Sequence, residues 1–297
     1  MMATTTDAAE QWELESFSGP DFVSLAPTEL AELGRERHAE YVTAEPFPHI
    51  ALDDFFDAAL LREVLNQTPS LARGGGDVQR MSNENEEKLA SVGELQFGPL
   101  TAHLMRYLNS EPFLHFLEEL TGIRNLIPDP HFEGGGHHEI RPGGFLKVHA
   151  DFNRHGPTGL DRRLNALIYL NQDWREEYGG HLELWDREMT RCVRRILPVF
   201  NRLVVFTTTS NTFHGHPEPL RCPQGMSRKS LALYYYTNGR PADELESGQE
   251  THSTLFRQRP GVSETSRLRK LRGAAKSVIK AVTPPIVVSA ANRLRGS

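Results

Sequence analysis

Cysteine is nearly missing from this sequence: Cys192 and Cys222 are the only two among 297 residues. So few make no disulfide framework and match no metal-site spacing, and both are expected to stay reduced and structural. Long apolar runs are missing too, since none approaches the ~18 residues that read as a membrane span. The opening Met1-Met2-Ala3-Thr4-Thr5-Thr6-Asp7 has neither the basic nor the apolar region of a secretory leader, so a cytoplasmic protein is expected. Neither the glycine cluster 134–136 nor the pair Gly143-Gly144 forms a G-x-G-x-x-G or G-K-S/T signature at the start of a helix. A phosphate-cradling loop is thereby excluded, and these glycines read as turns. No internal repeat is visible.

Negative charge is missing from one end. From Arg257 onward ten Lys/Arg stand against Glu264 alone, a local +9, so the net −6 of the whole chain leaves −15 on residues 1–256. Such an end is expected to be a solvated helical tail over 246–297, with its helix near 266–280. Peripheral contact with an anionic membrane surface is the alternative, and nucleic-acid binding is not expected. Residues 1–20 are polar and aperiodic and are expected to be disordered. The remaining 21–245 is long enough for one sizeable core.

Within that domain, strong helix formers begin at Pro27, a Pro-bounded strand over 45–56 runs into a helix over 58–66, and 70–95 reads as a surface loop. Apolar residues at helical spacing (Leu104, Leu108, Phe113, Phe116, Leu117, Leu120) predict one or two core-facing helices. From Leu126 the texture changes to short strands at 163–170, 180–185, 192–197, 202–207 and 229–237, separated by Gly, Pro and Asn turns. This predicts an α+β protein with a sandwich or barrel core over about 126–238.

The stretch Phe145-Leu146-Lys147-Val148-His149-Ala150-Asp151 alternates as a strand does, so His149 and Asp151 share a face. An imidazole and a carboxylate on one face are two thirds of the 2-His-1-carboxylate set that holds non-haem Fe(II) and leaves coordination positions open. With 13 His in the chain the pair means little alone; it recurs at His38/Glu40, His137/Glu139, His181/Glu183 and His216/Glu218. Residues further along the chain give it weight. Either His214 or His216, in a turn after an apolar strand, could be the third ligand. Beyond them, Arg228 and Ser230 share a strand face, and an Arg beside a hydroxyl near a metal makes a receptor for a carboxylate.

These motifs, His149-x-Asp151, Leu167 to Asn171 with Trp174, Gly179-Gly180 with Leu182-x-Leu184, Pro198 with Asn201 to Phe206, His214-Gly215 and Arg228-x-Ser230, resemble the iron(II)/2-oxoglutarate-dependent dioxygenases, in their prolyl 4-hydroxylase-like branch. The resemblance implies a double-stranded β-helix, a distorted jelly roll, with N-terminal helices on one sheet. It implies Fe(II) on His149, Asp151 and His214, the last favoured over His216 by Gly215 and Pro219, and 2-oxoglutarate on Arg228 with Ser230 in support. O2 would be the oxidant, and ascorbate an accessory reductant. Many relatives carry a cosubstrate-binding Tyr where this chain has Ile168, so the neighbouring Tyr169 is the candidate here. The activity implied is hydroxylation of an aliphatic C–H on a prolyl residue or small molecule, with release of succinate and CO2. Asp151 argues against halogenation, which needs the carboxylate position vacant. The competing expectations are a non-catalytic jelly-roll module that binds a metal or ligand, and an interaction protein anchored by its basic tail. His181, Glu183, Trp174 and Trp185 are expected to line or pack the barrel, while Arg141 is the one loop charge expected to meet an anionic substrate.

Overall fold

A computed structural model describes residues 21–71, 78–94, 96–241 and 251–262. The expectations for residues 1–20 and for the helix at 266–280 lie outside the described residues. Among the described residues four α-helices, α1 (Pro27–Val42), α2 (Ala58–Gln67), α3 (Pro99–Leu108) and α4 (Glu111–Thr121), accompany thirteen strands. The strands are β1 (His49–Leu52), β2 (Val78–Ser82), β3 (Glu86–Ser91), β4 (Ile127–Pro128), β5 (Gly136–Ile140), β6 (Phe145–Ala150), β7 (Asp161–Tyr169), β8 (Leu182–Trp185), β9 (Cys192–Ile196), β10 (Arg202–Thr207), β11 (Phe213–His216), β12 (Arg228–Thr237) and β13 (Leu255–Phe256).

Helix ends follow local chemistry. Proline stands in the first turn of α1, α3 and α4, where a missing N–H costs nothing. The Asp57 carboxylate caps α2 by accepting from Leu60 N–H at 2.8 Å. Gly122, at φ +75°, ends α4 in the left-handed conformation.

The sheet runs β1-β10-β7-β12-β5-β3-β6-β11-β8-β9, all pairings antiparallel, and curls into the nearly closed barrel of a double-stranded β-helix. Period-two alternation sorts its side chains. Leu164, Ala166 and Ile168 of β7, Leu203 and Val205 of β10, and Leu231, Leu233 and Tyr235 of β12 face outward against Leu30, Leu61, Leu104, Phe113, Phe116 and Leu120 of the helices. Each fully buried Leu, Ile, Val or Phe among them contributes about 1.5–3 kcal/mol, so the helices are bound to that sheet by its outer face. Tyr169, Val204 and Phe206 face inward, where they meet Leu182 and Leu184.

Three expectations change. Residues 78–91, read as part of a surface loop, are the β2–β3 hairpin, and β3 sits between β5 and β6. Its residues carry no apolar period because β2 is half exposed, so there was no alternation to detect. The stretch at 213–216, read as a turn, is strand β11. Beyond the domain edge drawn at 245, Leu255 and Phe256 pair with Ala150 and His149, adding a further strand to β6. No helix among the described residues is long and apolar enough to cross a membrane.

Asn201 joins β1, α2 and β10. It is 1% exposed and at φ +63°; its side chain accepts from Phe56 N–H (2.9 Å) and donates to Phe56 C=O (2.7 Å). Asn tolerates this backbone far better than Ala, and both polar groups of Phe56 are orphaned without it. Asn201→Ala is expected to lower unfolding free energy by about 2–4 kcal/mol, read from urea denaturation. Asn201→Gly, which relieves the backbone but not the lost bonds, should fall between it and wild type.

Candidate active site

Inside the barrel, β6 and β11 run side by side with His149 opposite His214. Their rings lie 4.6 Å apart between centroids, and Nε2 of each points to Asp151, at 3.5 Å from Oδ1 for His149 and 3.3 Å from Oδ2 for His214. The three ligand atoms lie within 4.8 Å of one another. Ligands about 2.1 Å from one ion and at right angles to each other sit ~3 Å apart, so this set fits a facial two-His, one-carboxylate ion site. The outer nitrogens fit as well: Nδ1 of His149 meets Lys147 C=O at 2.8 Å, and Nδ1 of His214 meets Thr212 C=O at 3.2 Å. A carbonyl on one nitrogen fixes the proton there and leaves the Nε2 lone pair for a metal.

His214 and His216 sit on one face of β11, but only His214 is among the residues whose ligand atoms come close enough together to hold an ion. Gly215 makes this possible. A Cβ there would stand 2.8 Å from Lys147 O and 2.9 Å from Leu146 O, and the β6–β11 register shifts at this point. Only glycine lets β11 press so closely on β6.

Asp151 is held by residues the sequence did not single out. Asn165 Nδ2 donates to Oδ2 at 2.8 Å, and the Arg162 guanidinium lies 3.1 Å from the same oxygen. Arg162 is 1% exposed and sandwiched between the rings of Phe152 (4.3 Å) and Tyr234 (3.5 Å), and it donates from both Nε and Nη2 to Asn165 Oδ1. Burial pushes the Asp151 carboxyl up, but Arg162, His214 and His149 outweigh it and hold it well below the ordinary carboxylate range. For His149, burial and the neighbouring His214 lower the pKa despite Asp151. Both directions favour the protonation states a metal requires. Phe256 of β13, paired opposite His149, lies 5.5 Å from its ring.

The same cavity, of about 70 Å³, is also lined by Arg228 and Ser230 with Lys88, His138 and His216. Arg228 is 4% exposed; its Nε donates to Gly180 C=O at 2.8 Å and its Nη2 to Tyr169 Oη at 3.2 Å. Gly180, at φ +74°, lets the arginine stem approach, since a Cβ there would be 3.0 Å from Arg228 Cδ. Burial lowers the Arg228 pKa, and a buried cation is costly unless an anion pairs with it. Tyr169 lies on the interior face and Ile168 packs against the helices, so Tyr169 touches Arg228 without lining the cavity. Leu167, Leu182 and Phe206 form the apolar walls.

The pair His181/Glu183 is engaged elsewhere. His181 Nε2 lies 2.8 Å from Glu176, and Glu183 accepts from Trp185 Nε1 at 3.1 Å. Arg141 lines a separate groove with Arg80, Lys88, Glu87 and Glu139, which Lys88 alone shares with the metal cavity.

Residues 135–236 match the family described as the 2OG-Fe(II) oxygenase superfamily. Among curated proteins none matches. Among solved structures, a prolyl hydroxylase from Trichoplax adhaerens, in complex with a hypoxia inducible factor oxygen degradation domain peptide fragment, is 20% identical. It covers 70% of this chain and 91% of its own, with a TM-score of 0.51. A Pseudomonas putida prolyl-4-hydroxylase is 19% identical over 71% of this chain and 100% of its own, with a TM-score of 0.49. HygX from Streptomyces hygroscopicus, with nickel and 2-oxoglutarate bound, is 14% identical over 74% and 97%, with a TM-score of 0.46.

Proposed function

We propose that this chain, whose residues 135–236 match the 2OG-Fe(II) oxygenase superfamily, is a 2-oxoglutarate-dependent dioxygenase that hydroxylates an aliphatic C–H of a prolyl residue or a small molecule, releasing succinate and CO2. The observation that carries this is one cavity lined both by His149, Asp151 and His214 and by Arg228 with Ser230.

In this reading His149, Asp151 and His214 hold Fe(II), and Arg228 and Ser230 bind the far carboxylate of 2-oxoglutarate. When bound, iron supplies the O2-dependent decarboxylation of the 2-oxo acid and the oxidation of the C–H bond. The protein supplies the rest. Tyr169 and Gly180 hold the Arg228 guanidinium in one orientation, Asn165 and Arg162 fix one oxygen of Asp151, and Leu167, Leu182 and Phe206 keep water away from the reacting centre. A peptide in the Trichoplax neighbour supports a peptidyl substrate. The proposal extends to ascorbate as the reductant that keeps iron ferrous, to residues 21–245 with β13 as one catalytic unit, and to a cytoplasmic location in keeping with free Cys192 and Cys222.

The test is succinate formation from 2-oxoglutarate with Fe(II) and O2, without a prime substrate. Slow uncoupled turnover is expected from the wild type. Arg228→Ala should lose it at low 2-oxoglutarate and regain it at high concentration, because the loss falls on binding. No turnover, together with no binding of Fe(II) or 2-oxoglutarate under anaerobic conditions, would leave a jelly roll of some other function.

A further inference from the structure

His216 is 4% exposed, and both of its ring nitrogens are buried without a hydrogen-bond partner. A buried polar group left unmatched is destabilising, so such a group calls for a partner that arrives from outside. It is not among the residues whose ligand atoms come close enough together to hold an ion. It lines the same cavity as those residues, on the same strand face as His214, about 6.6 Å further along β11. Arg228, Ser230 and Lys88 line the cavity with it.

Arg228 cannot saturate a carboxylate by itself. A guanidinium has five N–H donors; here Nε is committed to Gly180 and one Nη2 donor to Tyr169. A carboxylate offers about four acceptor sites. A 2-oxo diacid held at the triad by its oxo-acid end, with its other carboxylate on Arg228, would occupy the cavity that His214, His216 and Arg228 line together. An imidazole has at least one ring N–H in either protonation state.

We propose that His216 is a cosubstrate-binding residue whose ring N–H donates to the distal carboxylate of 2-oxoglutarate, as a third donor beside Arg228 and Ser230. This rests on the dioxygenase reading above. It assigns to His216 a selectivity between 2-oxo acids: diacids gain from it and monoacids do not.

The experiment titrates 2-oxoglutarate and 2-oxopentanoate, which has the same chain without the distal carboxylate, into Fe(II)-loaded protein under anaerobic conditions, following the visible absorbance of the chelate. Wild type, His216→Leu and His216→Gln are compared. Leu removes the unmatched nitrogens and should fold; Gln restores an N–H donor. His216→Leu is expected to bind 2-oxoglutarate at least about tenfold more weakly, the effect of one hydrogen bond to a charged group, and 2-oxopentanoate within about twofold of wild type. His216→Gln should recover most of the loss. Equal losses for both acids would make His216 a shape residue and overturn the proposal, as would unchanged affinity for 2-oxoglutarate. Loss of Fe(II) itself in His216→Leu would overturn it by making His216 a metal ligand. A wild type that binds Fe(II) but neither acid would instead retire the 2-oxoglutarate reading, and this proposal with it.

Discussion

Asp151→Ala and His214→Ala are expected to abolish Fe(II) binding and 2-oxoglutarate-dependent succinate formation together, whereas His216→Ala keeps the affinity for Fe(II) in the absence of 2-oxoglutarate. Three donors converge on one point, with Nε2 of His149 and His214 at 3.5 and 3.3 Å from the Asp151 carboxylate. Removing one leaves two, and the loss should exceed the ~100-fold seen when an outer partner of a ligand is removed. Asp151→Ala also leaves the buried Arg162 without its counter-ion, so that variant should be less stable than His214→Ala, which leaves no charge uncompensated. Metal content after gel filtration, and anaerobic Fe(II) titration, read the first effect; thermal unfolding of the metal-free variants reads the second. If His216→Ala were the variant without iron, the third ligand would move two residues along β11, with the cavity geometry misread.

Arg162→Met is expected to produce the largest stability loss of any substitution outside the ligand set. The guanidinium is 1% exposed, lies between two aromatic faces and supplies the positive charge that opposes Asp151. Without it the carboxylate keeps Asn165, His149 and His214 beside it but no permanent positive charge, and unfolding free energy of the metal-free protein should fall by about 3–5 kcal/mol. Affinity for Fe(II) should fall ~10–100-fold, because the carboxylate is no longer oriented. Arg162→Lys retains the charge but loses the planar fork that meets Asn165 and the stack on Phe152 and Tyr234, and should lie between the two. Urea denaturation with and without Fe(II) measures both. An unchanged midpoint in the metal-free Arg162→Met protein would mean that Asp151 is braced by Asn165 without help.

The place of Arg162 shows where sequence periodicity stops being informative. Counting by twos from Asn165 puts Arg163 on the interior face of β7 and Arg162 outside. The pairing contradicts this: Leu164 stands opposite Tyr235 and Arg162 opposite the next residue, Tyr236, so Arg163 is the extra residue of a bulge. A bulge flips the facing of every residue beyond it. Arg163 then donates to Thr237 Oγ1 at 3.1 Å, and Arg162 turns inward to Asp151. Bulges are set by the partner strand, and local sequence does not record the partner. The hairpin β2–β3 was hidden for a related reason: it is held by pairing with β5 and β6, far along the chain, and not by an apolar alternation of its own.

What this sequence determined by itself is the set of periodic elements and the chemistry aligned within them. Alternation over 145–151 put His149 and Asp151 on one face, and alternation over 228–237 did so for Arg228 and Ser230; helical spacing over 104–120 marked the side that the helices bury. Period and residue type are local properties, and a strand keeps its facing wherever its pairing stays regular. Tertiary structure alone decided which histidine meets Asp151, which arginine braces it, and that Tyr169 reaches Arg228 from the interior while Ile168 packs outward. Each of those depends on a register, a bulge or a close approach between strands distant in sequence, where a shift of one residue exchanges the inside of the barrel for the outside.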